Sequence, residues 1–466
     1  MNLFVFSEDL RIKDNKALYE ASVDQNGLVA LFIIDKGKNK DHGDCLAKFK
    51  LKLLALKEIQ KSLDSLNISL KILHSEEISN EPNDILEFCQ KYQIKNIFLN
   101  SEYPFNEQQR NEKLEKLCNK NKINLKVYDS QLIDPDQVKN NSDQPFKVFT
   151  PYSKKIRNLL SSKILQEIPE PLKQNQKILN QDQVPLFNDI YDQDFNFSVE
   201  SYPATEKVAV KRLKDFIDTS ITNYKELRDI PSLSATSNLS SSFSLGLISS
   251  KQAINQVLQR VPDEAGTGQF AWITEIIWRE FYKYIAYHFP HVSKSKSFNS
   301  KYDLIIWRED EDSFKKWCEG KTGIPIVDAA MRQLNQTKWM HNRLRMITAM
   351  FLSKNLLIDW RKGERYFMEN LIDGDFCSNN GGWQWSASTG VDASPYFRIF
   401  NPITQSEKFD PEGIFIKKFV TELIECPVNE IHNPSKETRS SLNYPEMIVD
   451  LKNSRLRAID TFKSIK

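Results

Sequence analysis

The sequence predicts an α/β domain followed by a large all-α domain, and this prediction rests on how residues are distributed along the 466 positions. Short apolar runs alternate with helical patterns over the first 130 residues. All eight tryptophans lie between positions 272 and 385, and eleven of the fourteen glycines lie between 246 and 413. Amphipathic patterns with few β-branched runs fill that later stretch, which favours helices. We therefore expect a Rossmann-like α/β domain at 1–130, a connector at 131–205 and a helical domain at 206–466.

The overall composition excludes several classes of protein. The chain is 40% hydrophobic and 27% charged, which excludes a largely disordered protein. Its net charge of +2 excludes a histone-like polycation but not a local basic groove. No apolar run reaches the ~20 residues of a membrane helix, so we expect no membrane span. The six cysteines are far apart without a C-x-x-C pair, which indicates a reduced, cytoplasmic protein without a disulfide scaffold or a zinc ribbon.

The α/β region contains apolar runs at 3–6, 28–34, 70–73, 96–99 and 125–128, with helical patterns near 15–23, 45–65, 82–92 and 105–121. Such runs predict a parallel sheet covered on both faces, which binds ligands beyond the carboxyl ends of its strands. Neither G-x-G-x-x-G nor G-x-x-x-x-G-K-[ST] is present, so a standard dinucleotide or P-loop site is not supported. Asn106 and Glu107 fall at a strand-to-helix junction, where they either cap the helix or contact a small ligand.

The connector is rich in Asn, Gln, Asp and Pro, with an island of structure at "FKVFTPYSKKI" (146–156). A helical pattern at 206–218 leads to a segment in which nine of the nineteen residues from 232 to 250 are serine. Serine-rich composition is typical of a flexible linker. Hydroxyls next to a helix start near Ser249 would equally form a cradle for phosphate. Composition alone does not choose between these interpretations.

The helical region places polar and aromatic groups on faces that would otherwise be apolar. One face carries Glu275, Trp278, Arg279 and Tyr282, and another carries Asn342, Arg345, Met346 and Ala349. Polar groups in such surroundings are buried only when they are paired, either in a structural network or with a polar ligand. The window 331–370 has eight Lys or Arg against three Asp or Glu, and nearby tryptophans make it resemble a nucleic-acid cleft rather than a solvated face.

The segment "LIDGDFCSNNGGWQWSASTGVDASPYFRIFNP" combines two aspartates, a double glycine and two tryptophans. It lacks EF-hand spacing and a terminal Glu, so we expect no metal site. The double glycine permits close approach of the backbone, and the indoles offer flat stacking surfaces.

Together, "TEIIWREFY", "EGKTGIPIVDAAMRQLNQTKWMHNRLRM", "DWRKGERYFMENLIDGD" and "NPITQSEKFDPEG" resemble the photolyase/cryptochrome family, most closely its class I cyclobutane pyrimidine dimer DNA photolyases. The resemblance is nearly continuous from about 224 to 413 and weaker over the first 150 residues ("DLRIKDN", "FKVFTPY"). It implies a light-driven carbon–carbon lyase that repairs DNA with FAD bound in a folded conformation. Excited, reduced flavin gives an electron to the flipped-out dimer, the cyclobutane ring opens, and the electron returns.

The resemblance also implies roles for individual residues. FAD would be bound by Tyr224, Thr236, Ser237, Leu239, Ser240, Trp272, Arg279, Trp339, Arg345, Asp373, Asp375 and Asn379. Asn379 would face the reducible ring, and Arg345 and Asp373 would pair beside it. The lesion and its DNA strand would be bound by Arg228, Glu275, Trp278, Asn342, Arg343, Met346, Trp385 and Gln405. Glu275, Asn342, Met346 and Asn379 would act in catalysis, with Glu275 stabilising charge on the reduced lesion.

Electron transfer from the protein surface to the flavin would use Trp383, Trp360 and Trp307, whereas packing is the expected role of Trp317. An antenna chromophore is expected at His42, Asn106 and Glu107, with methenyltetrahydrofolate favoured over a deazaflavin or an empty site. The chain departs from the family at Ser7 and Asn238, where relatives often carry arginine. We expect a monomer that binds damaged DNA and no membrane.

The same fold also permits a cryptochrome-type blue-light receptor or a (6-4) photolyase. A receptor of this kind would have a long disordered tail, whereas only 53 residues follow Gly413. A (6-4) enzyme would have a histidine pair where this chain reads His341-Asn342. A flavoprotein that binds nucleic acid without catalysis is a further alternative.

Overall fold

A computed structural model describes residues 1–35, 37, 43–161, 165–192, 195–260 and 264–465. The chain divides into two compact units. The first unit comprises Met1–Thr222, Ser237–Pro290 and Asp373–Asp375, and the second comprises Asn223–Thr236, His291–Ile372 and Phe376–Lys466. The predicted boundaries at 130 and 205 remain predictions, since these units are defined by spatial contacts and are not continuous in sequence. Within the described part of the chain, no helix is long and apolar enough to cross a membrane.

The first unit contains a five-stranded parallel sheet in the order β3-β2-β1-β4-β5, formed by β1 (Asn2–Phe6), β2 (Leu28–Asp35), β3 (Ser69–Ser75), β4 (Asn96–Asn100) and β5 (Asn124–Tyr128). Strand β1 pairs with both β2 and β4, so the connections change direction at β1. Its predicted strands and the α/β fold class are confirmed. Leu3, Val29 and Ile97 are fully buried in one of its cores, as expected for a sheet covered by helices.

Helices of the first unit match the predicted patterns closely. The helix Glu206–Thr219 begins at Thr205, whose side chain accepts a hydrogen bond from the Val208 amide. The serine-rich segment is folded: Ser241, Ser242 and Ser244 are buried. The helices of this unit are Lys16–Ser22, Leu46–Ser65, Glu81–Lys91, Phe105–Lys120, Phe149–Ser161, Phe187–Ile190, Glu206–Thr219, Ser240–Ser244, Ser250–Leu258 and Gly268–His288.

The second unit is helical in its described residues and is built around a core that includes Trp317, Trp360 and Trp383. Close packing in this core depends on Gly363, because a Cβ atom there would lie 2.2 Å from the Trp383 ring. Its helices are Tyr224–Leu227, Glu311–Glu319, Pro325–Thr337, Asn342–Met350, Trp360–Asn370, Phe376–Ala387, Pro402–Phe409, Ile414–Phe419, Lys436–Ser441 and Leu451–Lys463, with a π-helix at Phe351–Asn355.

Candidate functional site

A pocket lies at the carboxyl edge of the sheet, where the ends of β1, β2 and β4 meet. Most of the charged residues that line the pocket are acidic. The Arg110 guanidinium forms ion pairs there with Glu81 at 3.1 Å and with Glu102 at 2.6 Å. These three side chains are almost fully buried. Buried charges of opposite sign satisfy one another in this way, and the arrangement offers little attraction to a ligand that carries phosphate.

The residues predicted to bind an antenna chromophore do not line this sheet-edge pocket in the described part of the chain. Asn106 and Glu107 lie in the first turn of the helix Phe105–Lys120, with Asn106 exposed and Glu107 buried. Neither lines the sheet-edge pocket, to which the same helix contributes Arg110, Asn111 and Leu114. His42 lies outside the described residues.

The helix Gly268–His288 carries three of the predicted site residues within little more than one turn. Glu275, Trp278 and Arg279 are all half-buried, so part of each residue remains exposed. The Trp278 indole stacks on the ring of Phe149, with centroids 3.5 Å apart and planes inclined by 5°. Stacking of this kind fixes the orientation of the indole.

Arg279 is fixed by two partners within the first unit. Its guanidinium contacts the Asp375 carboxylate at 2.7 Å and donates to the Phe243 carbonyl of the serine-rich segment at 2.9 Å. The neighbouring Gly374 carbonyl accepts from Lys48 Nζ and from Ser244 Oγ. These bonds tie the short segment 373–375 to the serine-rich segment, although they are more than 120 positions apart.

The other first-unit residues predicted to bind the cofactor are close in sequence to Arg279, Asp375 or the serine-rich segment. Asp373 and Trp272 are buried, and Trp272 packs against Phe216 with ring centroids 5.8 Å apart. Leu239 is buried immediately before the short helix Ser240–Ser244, and Ser240 is exposed at its first position. Asn238, one of the departures from the family, has a φ of 49°, a left-handed conformation that asparagine tolerates. Ser237 begins this part of the unit.

In the second unit, the helix Asn342–Met350 begins at His341, whose Nδ1 accepts from the Arg343 amide at 3.2 Å. Burial lowers the pKa of His341 to about 4, so its ring is neutral near pH 7. Neutrality matters because two predicted DNA-binding arginines lie close by: Arg343 contacts Asp229 at 2.7 Å, and Arg228 approaches the same carboxylate at 4.0 Å. A neutral ring adds no repulsion to this cationic pair.

Contacts with aromatic rings orient both arginines. The Arg343 guanidinium lies 4.5 Å from the Phe409 centroid, and that of Arg228 lies 5.6 Å from the centroid of buried Tyr224. Cation–π contacts of this length stabilise the guanidinium without neutralising it.

Asn379 has a defined amide orientation. Its Nδ2 donates to the main-chain oxygen of Glu364 at 2.9 Å, so its Oδ1 is the atom directed away from that carbonyl. The adjacent Asn380 Nδ2 donates to the Glu364 carboxylate at 2.8 Å. Because an amide assignment follows from its hydrogen bonds, these contacts make Asn379 an acceptor for any group placed at its Oδ1.

The three tryptophans assigned to electron transfer all belong to the second unit. Trp383 and Trp360 are almost fully buried, and Trp307 is half-buried. Gly363 lies one turn after Trp360 on the helix Trp360–Asn370, and the Trp383 ring packs against this glycine. Trp307 precedes Arg308, whose amide donates to the Leu357 carbonyl at 2.8 Å, close in sequence to Trp360.

The remaining predicted residues of the second unit are placed at helix ends and on partly exposed faces. Arg345 Nε donates to the Met340 carbonyl at 2.8 Å, and the Trp339 ring lies edge-on to His341. Asn342 is exposed, whereas Met346, Trp385, Gln405 and Thr236 are half-buried.

Sequence patterns missed Asp229 and Glu364. Asp229 follows Arg228 directly in "ELRDIP", and this adjacency was the available signal for a carboxylate that orients an arginine. Glu364 sits in "WRKGERYF" without a distinguishing pattern. Only the folded chain places it against Asn379 and Asn380.

Two family profiles match the chain: one described as the FAD binding domain of DNA photolyase, at residues 272–464, and one described as DNA photolyase, at residues 2–172. A deoxyribodipyrimidine photo-lyase of Buchnera aphidicola subsp. Acyrthosiphon pisum is 39% identical, with 100% of this chain and 97% of that protein covered. The deoxyribodipyrimidine photo-lyase of Escherichia coli K12 is 37% identical, with 100% and 99% covered.

Solved structures are similar over the same length. A bacterial class III photolyase from Agrobacterium tumefaciens superposes with a TM-score of 0.88 at 30% identity, covering 100% of this chain and 97% of that one. An archaeal photolyase from Sulfolobus tokodaii, solved with two FAD molecules, gives a TM-score of 0.84 at 28% identity, with 100% of both chains covered.

Proposed function

The chain belongs to the DNA photolyase family, and we propose on this premise that it is a deoxyribodipyrimidine photo-lyase, an enzyme that uses light to split cyclobutane pyrimidine dimers in DNA. The full-length identity to enzymes of that name carries this conclusion. The positions of Glu275, Trp278 and Arg279 on one accessible helix face are consistent with it.

FAD is the cofactor that the matched domain implies. When bound and reduced, it supplies the light-excited electron that splits the dimer. The residues present fit such a group. In the first unit, Arg279 is oriented by Asp375 next to folded, hydroxyl-rich backbone, which suits the phosphates. In the second unit, Asn379 offers an amide oxygen, which suits a ring N–H. The other contacts would come from the FAD set named above.

We assign binding of the lesion and its DNA strand to several side chains with different roles. Glu275 would form a hydrogen bond to the base carbonyls of the dimer, where negative charge develops. Trp278, held by Phe149, and Trp385 would stack on the extruded pyrimidines. Asn342 and Met346 would complete the contacts with the bases. Arg228, Arg343 and Gln405 would bind the DNA backbone, which makes affinity sequence-independent and salt-sensitive.

The tryptophan series Trp383, Trp360 and Trp307 would restore the reduced cofactor. The indole nitrogens of Trp383 and Trp360 are buried and have no hydrogen-bond partner within the described chain. A radical on either ring would therefore not readily lose its proton, and the positive charge would move on to half-buried Trp307. These features support transfer of positive charge from Trp383 through Trp360 to Trp307, where solvent can take up the indole proton.

For the second chromophore we favour methenyltetrahydrofolate, bound by Asn106 and Glu107 together with His42. The position of Asn106 and Glu107 in the first turn of the helix Phe105–Lys120, which follows the carboxyl end of β4, supports a ligand at this edge of the sheet. We also propose a cytoplasmic monomer that binds damaged DNA; the six unbridged cysteines support a reducing compartment.

The experiment is illumination of photoreduced protein with an oligonucleotide that contains a single cyclobutane dimer. We expect restored pyrimidines in the light and unchanged substrate in darkness. A matched oligonucleotide with a (6-4) photoproduct should remain unrepaired, and repair of it alone would favour the (6-4) alternative. Lesion binding without any light-dependent product would instead favour a receptor or a non-catalytic flavoprotein.

A further inference from the structure

One glutamate in the second unit holds two neighbouring asparagines through two different atoms. The main-chain oxygen of Glu364 accepts from Asn379, and its carboxylate accepts from Asn380. Asn380 in turn accepts from Gln384 Nε2 at 2.9 Å, and Gln384 Oε1 accepts from the Phe298 amide at 2.8 Å. The series is anchored at a backbone amide, so the direction of each side-chain amide in it is defined.

The Glu364 carboxyl is also poised to change its charge near neutrality. Burial raises its pKa to about 7, although the hydrogen bond from Asn380 and the positive charge of Arg361 act in the opposite direction. Asp359 adds a smaller upward effect. Titratable groups on the elements around this helix include Asp303, which contacts Arg361, Glu311, which contacts Lys362, and Cys318, whose carbonyl accepts from Tyr366. They also include His291, Lys294, Lys354 and Cys377; of these, Lys354 is directed to the Ala387 carbonyl and Ser388.

We propose that Glu364 holds the Asn379–Asn380 pair, with its main chain bound to Asn379 and its carboxyl bound to Asn380, and that this carboxyl makes the electron affinity of the bound flavin depend on pH. The inference deepens the proposed function, since it takes FAD as the group that Asn379 contacts. The ionised carboxyl, bonded to the neighbouring Asn380, opposes the negative charge that reduction brings, whereas the protonated acid does not. The enzyme would therefore hold its reduced cofactor more tightly in mildly acidic than in mildly alkaline solution.

The test is a reductive titration of the FAD-loaded protein at several pH values from about 5.5 to 8.5, comparing wild type with Glu364→Gln. Glutamine keeps the main-chain oxygen and a side-chain acceptor but cannot ionise. We expect the two proteins to agree at the acidic end, and the reduction equilibrium of wild type to become about tenfold less favourable than that of the variant at the alkaline end. Glu369→Gln, an exposed carboxylate on the same helix, serves as the matched control and should follow wild type.

A second variant guards against loss of folding in the first. Asn380→Leu removes the donor that favours the ionised carboxyl, so the pH at which the equilibrium changes should rise. Parallel titrations of wild type and Glu364→Gln at every pH, with FAD bound, would overturn this inference alone. Failure to bind FAD at all would overturn the proposed function instead.

Discussion

The sheet-edge pocket and the helical region use charged side chains in different ways. Around the pocket, Arg110 lies between Glu81 and Glu102, and the three side chains are 6–12% exposed. In the helical sequence region, Arg279 contacts Asp375 and Arg343 contacts Asp229, and each of these arginine side chains is 16% exposed. An arginine placed between two carboxylates mainly specifies the fold, whereas a somewhat more exposed arginine oriented by a carboxylate can also contact a ligand.

The largest effect that this comparison predicts is on stability. Arg110→Leu removes the cation that contacts both the Glu81 and the Glu102 carboxylates, so the free energy of unfolding should fall by about 3–5 kcal/mol. Chemical denaturation measures this change. If Arg110 instead served a ligand, the apoprotein would keep its stability and the comparison would fail.

The next effect should appear in cofactor retention. Arg279→Leu removes the cation oriented by Asp375, and we expect the dissociation constant of FAD to rise about a hundredfold. Fluorescence of released flavin during dilution gives this value. Arg365→Leu, which alters an exposed arginine, is the control; equal retention of FAD in both variants would contradict the assigned role of Arg279.

A pH-dependent effect on stability is expected from Glu364. Its folded-state pKa of about 7 lies above the ordinary value of 4.5, so the native state binds more protons than the unfolded state in that interval. Stability therefore falls as pH rises from about 4.5 through 7 and then levels off. Relative to Glu364→Gln, wild type should lose about 2 kcal/mol, allowing for the partial exposure of the carboxyl. A constant difference between the two denaturation curves across pH would show that the group does not titrate there.

The smallest effect concerns electron transfer within the second unit. Trp307→Phe should slow photoreduction of oxidised flavin roughly tenfold, while repair by chemically reduced enzyme is unaffected, because the two processes use different electron donors. Absorbance changes during illumination follow photoreduction. Unaltered photoreduction in this variant would remove Trp307 from the series.

Local patterns were sufficient for the fold of the α/β region. Alternating apolar runs and helical periods predicted every strand, since each signal is contained in a few consecutive residues. The ligand environment of the same region was not predictable in this way. Arg110 meets Glu81 across 29 positions, and no periodicity records such a pairing.

In the helical region, the unusual residues could be predicted from the sequence, but the neighbours that orient them could not. Its unusual residues, such as Glu275 and Trp278 on one helix face, were visible in the sequence and pointed to a polar ligand. What orients them was not visible: Phe149 stacks on Trp278 from 129 positions away, and Glu364 meets Asn379 from a different helix. Residue identity indicates chemistry, but only the folded chain reveals which neighbours hold that chemistry in place.

The central claim is most directly tested by a single-turnover flash experiment on FAD-loaded, photoreduced protein with a bound dimer-containing oligonucleotide. The account predicts that one flash restores intact pyrimidines, and that the flavin is fully reduced again afterwards without any added electron donor. A flash that leaves the dimer intact, or that repairs it only while the flavin becomes permanently oxidised, would contradict the account.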